Sequence, residues 1–304
     1  MAGHAYTNAY KILHDVRHGV NEYSATLWAG TDTSGLYTNE YLLEKINAAQ
    51  ARIYALVMKT EARQIFYEEA SLTGVNSVFT LPWDFGRLLQ FEDERGFKVH
   101  PTSAKNKPIS GVQGSSNLYF RDGNTYILTQ SGITQTYTLK YYKKPRLLTF
   151  GIAAASSGAN SLLMENSALV VRRDDYYNGF LIDNYTQAKT TTITDFTAST
   201  RAATTTSGEM TWASADVYGT VSNLPEEFHL LIAPFAAILA KAQHPASQEP
   251  PTKIELATWG EMLMEVIVGF VNEPDDIPIE DIFTDFGREF GGGGYSIPGH
   301  TSLV

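Results

Sequence analysis

The chain of 304 residues contains no cysteine, so it can form neither a disulfide framework nor a thiolate metal site. It is also poor in charge, with 18% charged residues and a formal net charge of -10. Proteins that grip nucleic-acid phosphates over a broad surface need clustered Lys and Arg, and this acidic balance argues against such a protein. No apolar run approaches the roughly 20 residues that cross a bilayer. The start of the chain lacks the apolar stretch of a secretion signal. We therefore expect a soluble protein that is made in the cytoplasm and does not contact membranes.

Motifs of known catalytic chemistry are missing as well. The four glycines at 291–294 are not followed by Gly-Lys-Ser/Thr, so they are no phosphate loop, and no Gly-x-Ser-x-Gly turn occurs. We predict no enzymatic activity, no catalytic residues and no cofactor. What the chain does have is a heavy aromatic content, with 17 Tyr and 15 Phe. Because aromatic residues dominate both cores and interfaces, this content favours a contact-making surface.

Helical periodicity appears at both ends of the chain. Apolar residues recur every three or four positions from Ala9 to about Trp28, and again after Thr38, a good N-cap residue. Near the other end, Leu224-Pro225-Glu226-Glu227 is typical of a helix start. A last helix is expected at 252–271, apolar almost all round, which suits the centre of a bundle or an interface.

The middle of the chain is rich in β-branched and aromatic residues separated by turn signals. Asp122-Gly123 favours a hairpin turn between two of the strands. The predicted fold class is therefore α+β, a helical bundle from N- and C-terminal helix pairs with an inserted antiparallel β region and a second small β module. The predicted domains are a helical core at 1–61 and 222–273, an antiparallel β region at 62–151, an inserted β module at 152–221 and an extended acidic C-terminal arm at 274–304.

The acidic arm is the predicted partner-binding site. From Pro274 onward it carries six acidic residues against one arginine, with apolar residues between them. Exposed apolar residues in such an arm carry a solubility cost unless a partner buries them, although they can also fold back on their own helices. The predicted contact residues are Ile277, Ile279, Ile282, Phe283, Phe286, Phe290 and Tyr295.

Four stretches, in this order, resemble the head-to-tail adaptor (connector) proteins of tailed bacteriophages, especially the short-tailed type. They are LLEKINAAQARIY at 42–54, FTLPWDFGRLLQFEDERGFKVHP at 79–101, TLKYYKKPRLL at 138–148 and NLPEEFHLLIAPFAAILAKA at 223–242. The matching positions are Asn47, Leu81, Pro82, Asp84, Phe85, Tyr141, Tyr142, Lys143, Pro145 and Leu224 to Glu227. The long insertion at 152–221 departs from many adaptors, which have a short loop there.

The resemblance implies a structural subunit of a ring in the virion neck. Its partners would be further copies of itself, expected to form a dodecamer, the portal protein above, and a tail tube or nozzle protein below. Double-stranded DNA would pass through the ring without sequence-specific binding. Within the ring, the cations of KYYKKPR are possible DNA-channel contacts, namely Lys140, Lys143, Lys144 and Arg146. Strand alternation separates Lys140 from Lys143, which weakens this cluster.

Three alternatives involve other chemistry. A tail or surface module could bind carbohydrate through the aromatic, threonine-rich β region. His14 and His18 have the spacing of a shared zinc ion, but Asp15 stands where the metallopeptidase pattern needs Glu, and a solvent-facing pair is the simpler interpretation. Asp174, Asp175 and Asp183 lack the alternating spacing of a calcium loop, so capping of a turn is favoured over a calcium site. We predict no metal site.

Overall fold

The computed structural model describes residues 8–22, 36–103, 118–155, 157–164, 170–244 and 251–270. The chain divides into two compact units. One unit, called here the helix–sheet unit, comprises Met1–Ala62 and Leu147–Val304. The other, called the aromatic unit, comprises Arg63–Arg146. A 3₁₀ helix covers Glu61–Phe66, where the chain passes from the first to the second.

The aromatic unit contains two sheets. Its strands are β1 (Tyr67–Thr73), β2 (Val78–Thr80), β3 (Phe85–Glu92), β4 (His100–Pro101), β5 (Leu118–Asp122), β6 (Thr125–Leu128) and β7 (Thr136–Lys143). A three-stranded antiparallel sheet has the order β1-β7-β3, and a four-stranded sheet has the order β2-β6-β5-β4. The pair β4 and β5 is parallel, and the other pairs are antiparallel.

Aromatic rings fill the core of this unit. Phe91 is fully buried, and its ring centroid lies 5.2 Å from that of Tyr137 and 5.5 Å from that of Tyr119. The alternation along β7 buries Tyr137, Leu139 and Tyr141, as expected of a strand with one face on a core. The heavy aromatic content of the sequence is thus used largely for internal packing in this unit.

The helix–sheet unit contains one six-stranded sheet and the helices. Its strands are β8 (Phe150–Ile152), β9 (Ser161–Leu163), β10 (Leu181–Asn184), β11 (Lys189–Thr197), β12 (Ala202–Thr205) and β13 (Val217–Thr220). Their order is β8-β13-β10-β11-β12-β9, and every pair is antiparallel. The threonine-rich stretch therefore forms β11 and β12, well inside the sheet.

The described helices are α1 (Ala9–Gly19), α2 (Asn39–Val57), α3 (His229–Gln243) and α4 (Lys253–Val268). A 3₁₀ turn at Glu226–Phe228 leads into α3. Helix α3 packs against α1, α2 and α4 and is buried over most of its length. Gly19 permits the close approach of α1, since a Cβ there would lie 2.7 Å from the Cβ of Ala237 in α3. The central helix is therefore α3, whereas α4 lies at the edge.

The predicted fold class is wrong. The chain is mostly β, with three sheets, one of them a curled half-barrel, and about four helices, and it is not a helical bundle with an inserted β region. Several strands have only three or four residues, too short for their alternation to stand out in the sequence. These strands gain their hydrogen bonds from segments far along the chain, and no local pattern encodes that pairing.

Two of the predictions that rest on short sequence motifs are confirmed, whereas the predicted length of the first helix is not. The N-cap at Thr38 is confirmed, as is the hairpin at Asp122-Gly123, where Gly123 has φ +57°. The first helix is shorter than predicted, because it ends at Gly19 and is followed by Asn21 at φ 59°. The rest of the predicted helix, from Tyr23 to about Trp28, lies outside the described residues.

Candidate functional site

The predicted DNA-contact cations lie on and just after β7. Lys140 Nζ is 2.9 Å from a carboxylate oxygen of Glu92 on β3, and Lys143 Nζ is 3.2 Å from Glu68 Oε2 on β1. The hydrogen bond to Glu92 raises the pKa of Lys140 above its ordinary value. Both lysines are thus matched by carboxylates on neighbouring strands, and the net positive field that a phosphate would meet at them is small.

The other two cations follow the end of the strand. The backbone N–H of Lys144 donates to the carbonyl of Asp84 at 2.7 Å. Asp84 also accepts a hydrogen bond from the Tyr141 hydroxyl at 3.0 Å. Burial raises the pKa of Tyr141, and the neighbouring Asp84 carboxylate raises it further. These contacts fix the path of the chain between β7 and Arg146. A DNA contact through the four cations stays a prediction.

The predicted partner-binding residues of the C-terminal arm lie outside the described residues, which end at Phe270. The helix leading to them is well anchored. The ring centroids of Trp259 and Phe235 are 4.1 Å apart, and Trp259 Nε1 donates to the carbonyl of Leu231 at 3.0 Å. At the start of α4, Thr252 and Glu255 form a reciprocal capping box. Phe270 stacks on Phe228 at 5.8 Å, which holds the last described turn against the start of α3.

The outer side of α4 carries three of the four large hydrophobic residues that are exposed on the described helices. Ile254 is 77% exposed, and Met262 and Val268 are also exposed. Their spacing places them on the side opposite the buried Trp259 and Leu263. Leu230, at the start of α3, is 71% exposed. We call Ile254, Met262 and Val268 the α4 outer face.

His14 and His18 lie side by side on α1. Their ring centroids are 4.6 Å apart, and His14 Nδ1 is 3.4 Å from Asp15 Oδ1. Burial lowers the pKa of His14. Over the ranges that the structure covers, no group of three or more His, Asp or Glu side chains could hold a metal ion. The pair has no third ligand within this part of the chain.

The three aspartates considered for calcium are not brought together into one cluster. Asp174 Oδ1 accepts a hydrogen bond from the backbone N–H of Ala198, and Asp175 Oδ1 accepts one from Asn178 Nδ2. Asp183 is fully buried on β10, where its carboxylate accepts hydrogen bonds from Asn8 and Thr190. Each therefore has a separate structural role: Asp174 links its loop to the turn after β11, whereas Asp175 stabilises a local turn.

A buried polar network on β10 escaped the sequence reasoning. Asp216 Oδ2 accepts hydrogen bonds from Asn184 Nδ2 at 2.7 Å, from Gln187 Nε2 at 2.6 Å and from the backbone N–H of Ala213. Asn184 and Asp216 are buried. A buried carboxylate with several donors stabilises the fold and orders the loop around it. Its sequence signal was weak, since Asp and Asn near turns are common.

An open cavity between the 172–175 loop and the β11–β12 turn was also missed. It is lined by Arg172, Ala198, Ser199 and Arg201. The two arginines are 29 residues apart in the sequence, and nothing local connects them.

The comparisons with family models and with curated proteins give no match for this chain. Among the described helices, none combines the length and apolar character needed to cross a membrane.

Proposed function

We propose that this chain is a structural subunit of the head-to-tail connector ring of a tailed bacteriophage. In this role, copies of the chain form a ring in the virion neck, expected to be a dodecamer. The ring docks under the portal protein, extends the DNA channel and offers an attachment surface to the tail. Double-stranded DNA passes through without sequence-specific binding, and the role needs neither a cofactor nor a catalytic residue.

The observation that carries the proposal is the α4 outer face. A helix anchored by buried Trp259 nevertheless leaves Ile254 77% exposed, with Met262 and Val268 on the same side. Exposed Glu261 and Glu265 lie between them on the same side. Exposed apolar residues with charged neighbours are typical of a surface that contacts another protein. The face belongs to the last described helix, directly before the acidic arm, so a neighbouring subunit could bury helix and arm together.

The residues that carry the resemblance also support the proposal, because they occupy organising positions. Asn47 Oδ1 accepts from the backbone N–H of Leu148 at 2.7 Å, which ties α2 to the chain entering the six-stranded sheet. Asp84 Oδ1 accepts a hydrogen bond from the hydroxyl of Tyr141. The carbonyl of Leu224 accepts from His229 Nε2. Side chains with such roles suit the framework of a structural family.

The carbohydrate-binding alternative has no such support. Sugar sites present aromatic rings to solvent, but the rings of Tyr177, Phe180, Phe196, Trp212 and Tyr218 are buried. Within the described part of 152–221, Tyr185 is the large aromatic residue with substantial exposure, at 42%. A single ring gives a weak platform for a sugar.

The test is electron microscopy and native mass spectrometry of the full chain, alone and mixed with the portal protein of the same phage. We expect closed rings, alone or on the portal. The double variant Ile254→Glu/Met262→Glu should abolish ring formation while the circular dichroism spectrum is retained. Ser207→Glu, which adds charge at an exposed loop of the same unit, serves as the control and should leave assembly intact.

Two results would contradict the proposal. One is a protein that stays monomeric in the presence of the portal. The other is ring formation that survives the α4 double variant unchanged. A chain that ends at Pro274 tests the C-terminal arm separately. We expect this shortened chain to fold but not to bind the portal protein. If it still binds the portal protein, the residues from Ile277 to Tyr295 are not the partner-binding site.

A further inference from the structure

The open cavity beside the β11–β12 turn has a volume of about 460 Å³ and is lined by Arg172, Ala198, Ser199 and Arg201. Two hydrogen bonds hold its walls together. The backbone N–H of Ala198 donates to Asp174 Oδ1 at 2.7 Å, and the N–H of Asp175 donates to the carbonyl of Phe196 at 2.9 Å. The loop that carries Arg172 is therefore fixed against the turn that carries Arg201.

The two arginines suit an anionic ligand. Within the described chain neither side chain has a hydrogen-bond or ion-pair partner, and Nε of Arg201 is buried without one. Guanidinium groups bind carboxylates and phosphates in a planar, two-pronged geometry.

The same chain contains a segment of matching charge. Residues 271–304 hold seven acidic residues and one arginine. Four of the acids, Asp275, Asp276, Glu280 and Asp281, lie within seven residues of one another. This clustering lets two carboxylates reach two nearby guanidinium groups together.

The acidic segment begins at the same end of the six-stranded sheet as the cavity. Strands β11 and β13 are both antiparallel to β10, so their carboxyl ends lie at the same end of the sheet. The cavity's turn follows β11, whereas α3 and α4 follow β13, with Phe270 stacked on Phe228. Asp281 is eleven residues beyond Phe270, a span of up to about 36 Å for extended chain. The acidic segment can thus reach the cavity of its own molecule.

We propose that Arg172 and Arg201 form a docking site for the carboxylates of residues 275–281 of the same chain. The inference concerns the isolated protein and does not depend on the connector function. Docking brings the acidic segment onto the end of the six-stranded sheet where β11 turns into β12, and it neutralises the two guanidinium groups.

Hydrogen exchange of the full-length protein, read by mass spectrometry on peptides from 272–290, tests the proposal. We expect exchange in this segment to be about fivefold faster in Arg172→Gln/Arg201→Gln than in the parent, as two partly exposed ion pairs allow. The variant with Asp275→Asn, Asp276→Asn, Glu280→Gln and Asp281→Asn should behave the same way. Salt of about 1 M should remove the protection, because the Debye length falls to about 3 Å.

Arg173→Gln is the matched control, because it removes an adjacent positive charge that does not line the cavity. It should leave the exchange unchanged. Equal exchange in the parent and the double-arginine variant would overturn the proposal. A second result would also overturn it: calorimetry shows that inorganic phosphate binds the parent protein at these arginines, while hydrogen exchange of residues 272–290 is unprotected. The site would then bind free anions and not the acidic segment.

The absence of cysteine provides a test of the same-chain assignment. In the double variant Ser199→Cys/Thr284→Cys, oxidation should give an intramolecular disulfide and no dimer. Mixing the two single variants tests exchange between molecules. A crosslinked dimer from that mixture, with no intramolecular product in the double variant, would overturn the assignment to the same chain.

Discussion

Asn8 Nδ2 donates a hydrogen bond to Asp183 Oδ2 at 2.9 Å, across 175 residues of sequence and with both side chains buried. The same asparagine caps α1, because its Oδ1 accepts from the backbone N–H of Lys11 at 2.8 Å. Thr190 donates to the other oxygen of Asp183. One side chain therefore starts the first described helix and satisfies a buried carboxylate in the middle of the six-stranded sheet.

Replacing Asn8 by Ala should lower the free energy of unfolding by roughly 2 to 4 kcal/mol, because it removes a helix cap and a hydrogen bond to a buried charge. Urea unfolding measures the change. Asn8→Ser separates the two contributions, since serine caps the helix but is too short to reach Asp183. It should recover about 1 kcal/mol of the loss. Equal stability of Asn8→Ala and the parent would contradict the coupling between α1 and β10.

Gly219 on β13 allows the start of α1 to lie directly on the sheet. A Cβ at this position would lie 2.8 Å from the backbone nitrogen of Tyr10 and 3.1 Å from Asn8 Oδ1. The backbone of Tyr10 cannot move aside as a flexible side chain can. Gly219→Ala should therefore destabilise the protein by about 1 to 3 kcal/mol. Thermal unfolding followed by circular dichroism tests this. Gly158→Ala, where a Cβ meets nothing within 4 Å, should be neutral or slightly stabilising, and similar losses in both variants would refute the explanation.

Asn47 ties α2 to Leu148 through both ends of its amide, since Oδ1 accepts from the Leu148 N–H and Nδ2 donates to the Leu148 carbonyl at 3.3 Å. Asn47→Ala should cost about 1 to 3 kcal/mol because it leaves both backbone groups without this partner. Asn47→Asp retains the acceptor but sets a carboxylate oxygen against the carbonyl, so it should not restore stability. Unfolding of both variants in guanidinium chloride measures their free energies of unfolding. If Asn47→Asp is as stable as the parent, the Nδ2 donor of Asn47 contributes nothing to stability.

His229 should make stability depend on pH. Burial lowers its pKa, and its Nε2 donates to the carbonyl of Leu224 at 2.8 Å. Since the unfolded chain binds the proton at higher pH than the folded chain, the contribution of His229 is complete above about pH 6.5 and is lost as the pH falls toward the folded pKa. His229→Gln keeps a donor that does not titrate.

Between about pH 7.5 and 5, the parent should lose more unfolding free energy than His229→Gln, because only the parent gains a proton at this position on unfolding. Urea unfolding across this range measures the difference. His100→Gln, at an exposed position, is the control and should follow the parent. A parallel pH dependence in the parent and His229→Gln would contradict a role for this imidazole.

The contacts between residues that are far apart in the sequence could not be predicted. Lys140 and Glu92 are 48 residues apart, and their pairing depends on β3 lying beside β7 in one register. Periodicity assigns a residue to a face of a strand but does not say which strand lies beside it. The sequence of α4 likewise suited either the centre of a bundle or an interface, and did not decide between them. Its residues are nearly as apolar as those of α3, and only the packing shows that α3 is enclosed.

The sequence by itself determined the features whose partners lie within a few residues. Examples are the cap at Thr38, the turn at Asp122-Gly123 and the capping box of Thr252 and Glu255. The tertiary structure alone decided that the chain is mostly β, that Asp183 is buried beside Asn8, and that Arg172 and Arg201 line one cavity. The physical reason is that short-range hydrogen bonds follow from the geometry of a single turn, whereas sheet pairing and burial depend on which distant segments meet.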